Sequence, residues 1–169
     1  MDNGNPFPQR KHLKRIPVWL PDELPVIYHV TVGCAWRRRL FVERKHVHLA
    51  VECLQRADSQ HAWNVWNSCF MPDHVHLLLS PTRSREQPLA AFVQAWKICV
   101  TLRLHRVGMI GNIWQAEFFD HLLRTDEKLG ETWEYIRMNP VRAGICELPG
   151  EYPFSGRPED ILARIGKGE

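Results

Sequence analysis

The chain has 169 residues, 44% hydrophobic and 24% charged, with a formal net charge of +3. Those values fit one globular domain with extensions, large enough to bury a core. No apolar run approaches the ~18 residues of a membrane-spanning helix, and the N-terminus is polar and basic, without the apolar stretch of a secretory leader. The expectation is a cytoplasmic protein with no membrane partner. The five cysteines are odd in number, widely spaced and form no C-x-x-C, which reads as reduced thiols and not a disulfide framework.

In chain order, residues 1–23 carry the basic cluster Arg10-Lys11-His12-Leu13-Lys14-Arg15 and read as an arm. Pro25 to Cys34 is rich in β-formers and predicts a strand, with Tyr28, Val30 and Val32 on one face and His29 and Thr31 on the other. Trp36-Arg37-Arg38-Arg39 follows as a loop. Val47, Ala50, Val51 and Leu54 recur at helical spacing and predict a helix over 43–60. Trp63 to Phe70 predicts a strand, Met71-Pro72-Asp73 a turn, and 74–79 a third strand. Leu89, Phe92, Val93, Trp96, Val100 and Leu104 mark a helix over 86–107 that Gly108 closes. Trp114 to Leu123 predicts a fourth strand. A third helix is expected over 125–139, with Asp126 and Glu127 in its first turn and Pro140 as its stop. Val141–Ile145 reads as a turn, and a Pro/Gly-rich tail follows.

The order β-α-β-β-α-β-α predicts an α+β fold: a ferredoxin-like split βαβ antiparallel sheet, helices packed on it, and a third helix carrying a tyrosine. The third strand would be central in that sheet, a rigid place for a site. The expected division is a basic arm over 1–23, one domain over 24–148 and a tail over 149–169.

Chemistry concentrates on that third strand. His74 and His76 are two positions apart, so both imidazoles point to one face, about 7 Å apart at Cα. Such a pair can grip one metal ion, although hydrogen-bonded structural histidines remain the alternative. His46-Val47-His48 has the same spelling but falls on a predicted helix, where i and i+2 diverge. His29, His61 and His105 read as isolated.

The third helix supplies further groups. Tyr135 and Asn139 stand at i and i+4, on one helical face. Tyrosine can act as a covalent nucleophile. A divalent ion held by His74, His76 and the Asn139 amide oxygen could polarise a phosphodiester beside it. Mn²⁺ suits imidazole and Mg²⁺ is more available. Each residue also has a plain structural reading: Asn139 as a helix cap before Pro140, and Tyr135 as core between Trp133 and Ile136.

Met71-Pro72-Asp73-His74-Val75-His76-Leu77-Leu78-Leu79 resembles the MPNHVHLLL signature of the single-tyrosine HUH transposases. Tyr135-Ile136-Arg137-Met138-Asn139-Pro140-Val141-Arg142-Ala143-Gly144 resembles the YIxxNPVRAG segment of the REP-associated tyrosine transposase branch. Trp114-Gln115, Phe118-Phe119-Asp120-His121 and Arg124 resemble that branch's fourth-strand segment. The similarity runs from about Tyr28 to Tyr152. It implies a ferredoxin-like core and a metal-dependent enzyme. Such an enzyme would cut and rejoin single-stranded DNA, often beside a hairpin, through a 5′-phosphotyrosine. It implies His74, His76 and Asn139 as metal ligands, Tyr135 as nucleophile, and Mg²⁺ or Mn²⁺ as cofactor. Asp73 departs from the usual Asn, and either shapes the turn, orients a ligand or adds charge near the metal.

For DNA, Lys97, Arg124, Arg137, Arg142, Arg37 and Arg38 are the candidate phosphate contacts. Trp36 and Trp114 are candidates for base stacking. The partner would be single-stranded or hairpin DNA, met by a monomer or homodimer. Two other readings stay open: a non-catalytic or domesticated nucleic-acid-binding protein on the same scaffold, and a small RNA-binding ferredoxin-like module.

Overall fold

The structure is a computed structural model that describes residues 26–82, 88–123 and 126–166. The basic arm and Arg124 lie outside the described residues.

The first strand, β1, is Ile27–Cys34, followed by two short 3-10 turns at Ala35–Arg37 and Leu40–Val42. Helix α1 is Arg44–Gln60, and strands β2 (Trp63–Met71) and β3 (His74–Pro81) form a hairpin. Helix α2 is Leu89–Arg106 and β4 is Trp114–Leu123. Helix α3 is Asp126–Arg137, and α4 is the single turn Asn139–Arg142. A 3-10 turn at Pro149–Glu151 leads to β5 (Ser155–Gly156) and α5 (Pro158–Ile165). The strands form one sheet in the order β4-β1-β3-β2-β5, every pair antiparallel. This is the expected ferredoxin-like arrangement, with β3 at its centre.

The two faces of β1 differ as the alternation requires. Tyr28, Val30, Val32 and Cys34 are buried, whereas His29, Thr31 and Gly33 are half-buried. The first set shares a core with Val75, Leu77 and Leu79 of β3, Val47, Ala50, Val51 and Leu54 of α1, and Phe92, Val93, Trp96, Val100 and Leu104 of α2. Each fully buried side chain of this size contributes roughly 1.5–3 kcal/mol. Gly108 ends α2 as expected. Its φ of 93° lets the Gly108 amide bond His105 O and the Met109 amide bond Leu104 O, the paired bonds of a Schellman cap.

Four sequence expectations change. First, Cys53 of α1 and Cys99 of α2 form a disulfide, with Cα atoms 5.8 Å apart, so the five thiols are not all reduced. The pairing follows from two helices lying side by side, which cysteine spacing does not encode. The Arg103–Glu52 ion pair joins the same two helices. Second, α3 ends at Arg137, short of the expected Asn139, and α4 starts at Asn139 just ahead of Pro140. Pro140 stands at the start of a helical turn, where its missing N–H costs no bond. The backbone nearly continues through Met138, whose amide bonds Glu134 O while its carbonyl accepts from Arg142. Third, residues 149–165 are folded onto the sheet. The edge of β2 pairs with β5, the Tyr152 hydroxyl donates to Phe70 O, and α5 packs on α1. The buried apolar residues Tyr152, Phe154, Ile161 and Ile165 drive this.

The fourth change is at Ala35–Arg38. Trp36 and Arg37 have φ of 51° and 57°, and the Arg38 amide bonds Ala35 O at 3.1 Å. This is a mirror-image turn that ordinarily takes Asn or Gly. With full side chains, each left-handed residue costs about 1–2 kcal/mol.

Among the described residues, no helix is long and apolar enough to cross a membrane.

Candidate active site

β3 presents His74 and His76 on the sheet face opposite the main core. Their Nε2 atoms lie 3.1 Å apart, with the rings edge to face. Two ligands bound at right angles to an octahedral ion with bonds near 2.1 Å would stand about 3 Å apart, the spacing these two nitrogens have.

Each imidazole is oriented by its other nitrogen. His74 Nδ1 is 2.6 Å from Asp73 Oδ1, and Asp73 Oδ2 is 2.7 Å from Arg37 Nε. His74 thus donates Nδ1–H to a carboxylate and keeps Nε2 as the acceptor, the arrangement that fixes a metal-ligating histidine. Burial pushes the Asp73 carboxyl up, but its bonds and attraction to His74 and Arg37 outweigh this and hold it below the usual range. Asp73 is therefore an ionised orienting group and does more than shape the turn.

His76 is buried, and its Nδ1 lies 3.1 Å from both His29 Nε2 and Thr31 Oγ1. Sequence reasoning set His29 aside as isolated, and this is corrected. The antiparallel register brings Thr31 opposite His76 and His29 opposite Leu78, so the polar face of β1 runs beside the histidine pair. The alternation on β1 had already put His29 and Thr31 on one face; only the pairing of β1 with β3 shows what that face meets. Burial, then the nearby His74, His29 and Arg142, lower the His76 pKa to about 3. Burial and then His121 lower that of His29 to about 4. Both rings are neutral at pH 7, as ligation and its support require.

Asn139 reaches the pair from α4. Its Nδ2 is 3.2 Å from His76 Nε2, and its Oδ1 accepts from Arg142 at 3.2 Å. No side-chain bond caps α4, so the capping alternative falls away. To offer oxygen to an ion, the amide must turn over and exchange Nδ2 for Oδ1. Tyr135, at the end of α3, is 53% exposed, which removes the core alternative. Arg142 binds Tyr135 twice over: it donates to the Tyr135 carbonyl and stacks its guanidinium 4.3 Å from the ring centroid. Tyr135 and Asn139 therefore share one arginine.

Among the described residues, no three His, Cys, Asp or Glu side chains cluster to hold a metal. The donor set here is two imidazoles and one amide, which fits a divalent ion that keeps several positions for water or phosphate oxygens.

The remaining candidates separate. Lys97 is buried, and its ammonium donates to Gln115 O at 2.7 Å and Ala116 O at 3.2 Å. It ties α2 to β4 and is not on the surface to meet phosphate. Arg38 donates to Ile110 O and Asn112 O. Arg137 pairs with Glu134 on α3. Arg37 stays 72% exposed at its side chain while it holds Asp73. Trp114 is buried, with its indole N–H on Lys97 O, so it cannot stack on a base. His46 is buried on Leu40 O, His48 faces Glu52, and His105 binds Gly111 O. None of these three belongs to the site.

Similarity to known proteins agrees with this geometry. The sequence profile of the family described as Transposase IS200 like matches residues 24–139. A Haemophilus influenzae protein named "Putative REP-associated tyrosine transposase" is 31% identical over 107 residues, covering 57% of this chain and 60% of that protein. The Escherichia coli REP-associated tyrosine transposase is 26% identical over 98 residues, covering 58% of this chain and 55% of that protein. The match thus spans less than two thirds of either relative. A solved REP-associated tyrosine transposase bound to a REP hairpin shares the fold, with a TM-score of 0.67 at 20% identity, over 78% of this chain and 76% of that one. With most of the sheet, the histidine pair, Tyr135 and Asn139 inside the matched span, this chain belongs to the Transposase IS200 like family.

Proposed function

We propose that this protein is a divalent-metal-dependent endonuclease and strand transferase acting on single-stranded DNA next to hairpins, with Tyr135 as its nucleophile. The observation that carries the reading is the convergence of His74 Nε2 and His76 Nε2 at 3.1 Å, with Asn139 against them and Tyr135 one helical turn earlier. Family membership and the hairpin-bound relative of the same fold support the choice of substrate.

His74, His76 and a turned Asn139 amide would hold Mg²⁺ or Mn²⁺. When bound, the ion supplies Lewis-acid polarisation of the scissile phosphate. The residues of the chain do the rest. Asp73 and the His29–Thr31 pair keep the two Nε2 atoms unprotonated and aimed. Arg142 fixes the Tyr135 backbone and ring together. Tyr135 Oη attacks phosphorus and loses its proton to water. The P–O3′ bond breaks, the leaving 3′ oxygen takes up a proton, and the 5′-phosphate stays esterified to Tyr135. Attack by another 3′-hydroxyl on that ester reverses the step and joins strands, freeing the tyrosine.

The test is incubation of the protein with labelled hairpin DNA bearing single-stranded flanks, with Mn²⁺ or Mg²⁺. A covalent protein–DNA adduct should form, and Tyr135→Phe should abolish it while binding persists. An adduct of undiminished yield with Tyr135→Phe would show that the nucleophile lies elsewhere.

A further inference from the structure

We propose that Trp36 is a stacking platform for an unpaired DNA base next to the histidine pair. The inference rests on the single-stranded DNA reading above and adds a binding residue to it. Trp36 is 75% exposed, against 8% for Trp114 and 0% for Trp96. It therefore does no work in the core, although it is the kind of residue most strongly drawn there.

The backbone under it is costly in a way that packing does not explain. Trp36 and Arg37 are both left-handed, in a turn whose shape would be easier for Asn-Gly. Strain of this kind persists when the surroundings over-determine it, and it gathers at functional sites. The surroundings here do so. The Cys34 amide is bonded to Asp73 O at 2.8 Å, the Ala35 amide to Ile113 O at 2.9 Å, and the Arg38 guanidinium to Ile110 O and Asn112 O. The turn is clamped between the β2–β3 connection and the α2–β4 connection, and the indole is left facing water.

Its position and charge select the occupant. The neighbouring side chain, Arg37, reaches Asp73, which in turn holds His74. The indole is thus one residue from a chain of bonds that ends on a proposed metal ligand. Arg37 and Arg39 follow Trp36 in the chain and are exposed. An exposed aromatic ring beside cationic side chains is the arrangement that binds single strands, with phosphates on the cations and a base on the ring. A base-paired nucleotide has no free face to offer, so the platform would favour unpaired DNA.

The experiment compares the unaltered protein with Trp36→Gly and Trp36→Phe. The probes are an oligothymidylate of about 20 nucleotides and a chain of equal length made of abasic sugar phosphates, each fluorescently labelled. Trp36→Gly suits the left-handed backbone and so removes the ring without adding strain. It should weaken the oligothymidylate about tenfold, within the range of one stacked base, and leave the abasic chain unchanged. Trp36→Phe should recover most of the loss. Equal affinity of Trp36→Gly and wild type for oligothymidylate, or an equal loss on both probes, would overturn the proposal. So would an effect of Trp36→Gly on self-association alone, which would make the indole a contact between copies. If wild type bound neither probe, the DNA reading would fall with it. If it bound both and formed the Tyr135 adduct without regard to Trp36, only the platform would fall.

Discussion

His29 Nε2 lies 3.1 Å from His76 Nδ1, across the β1–β3 ladder. The contact joins a residue that looks unremarkable in the sequence to the most buried ligand of the proposed metal site. Thr31 offers a second partner at the same distance. Removing such supporting partners from a ligating histidine usually costs 10–100-fold in metal affinity. His29→Ala combined with Thr31→Val should fall in that range by Mn²⁺ titration calorimetry, and either change alone should cost less. An unchanged affinity in the double variant would remove β1 from the site.

The same two rings set a dependence on acid. His76 and His29 titrate near 3 and 4 in the folded protein, below the ordinary 6.5, because burial penalises their charged forms. Between those values and 6.5 the unfolded chain binds more protons, so stability increases with pH there. Stability from this source is complete above about pH 6.5 and is lost as the pH falls toward 4 and then 3. The loss is at most about 1.4 kcal/mol per histidine per pH unit. Thermal melts of the metal-free protein from pH 7 to 4 should decline, and His29→Gln should flatten the decline.

Asp73 should behave as a positioning residue for His74. Asp73→Ala removes the acceptor at 2.6 Å and leaves Arg37 without its carboxylate; Mn²⁺ affinity should drop about 10–100-fold. Asp73→Asn keeps an oxygen acceptor and should restore most of it. A pure charge effect predicts instead that Asn performs no better than Ala. Titration with Mn²⁺ followed by electron spin resonance separates the two without relying on catalysis.

Lys97 gives a check on DNA binding. Its ammonium satisfies two β4 carbonyls from a buried position. Lys97→Met should destabilise the fold by about 1–3 kcal/mol, as the two acceptors lose their donor. The slope of log Kd against log salt for single-stranded DNA should stay as it was, because no phosphate contact is lost. A shallower slope would return Lys97 to the DNA surface.

The Cys53–Cys99 disulfide closes a sequence separation of 46 residues. Loop-closure entropy gives such a link up to about 4 kcal/mol. Reduction, or Cys53→Ser with Cys99→Ser, should lower the melting temperature by many degrees, and the reduced protein should melt as the double serine variant does. No shift on reduction would mean that the two thiols do not cross-link in solution.

The sequence by itself determined the fold class, the central place of the 74–79 strand and the orientation of its two histidines. The orientation follows from local periodicity, and the other two from the order of the elements that this periodicity marks. An alternation of two puts His74 and His76 on one face whatever the partners are, and the 3.6 repeat in α1 and α2 names their core residues. It also paired Tyr135 with Asn139, four residues apart. What only the tertiary structure decided depends on which strands and helices meet. His29 joins His76 because β1 lies against β3 in one register. Lys97 leaves the surface because its ammonium reaches two β4 carbonyls from α2, and Cys53 finds Cys99 because α1 runs beside α2. Arg37 reaches Asp73 only because the turn at Trp36 folds back on the β2–β3 connection. No spacing along the chain records these approaches, since each is a contact between segments whose separation is set by the packed core.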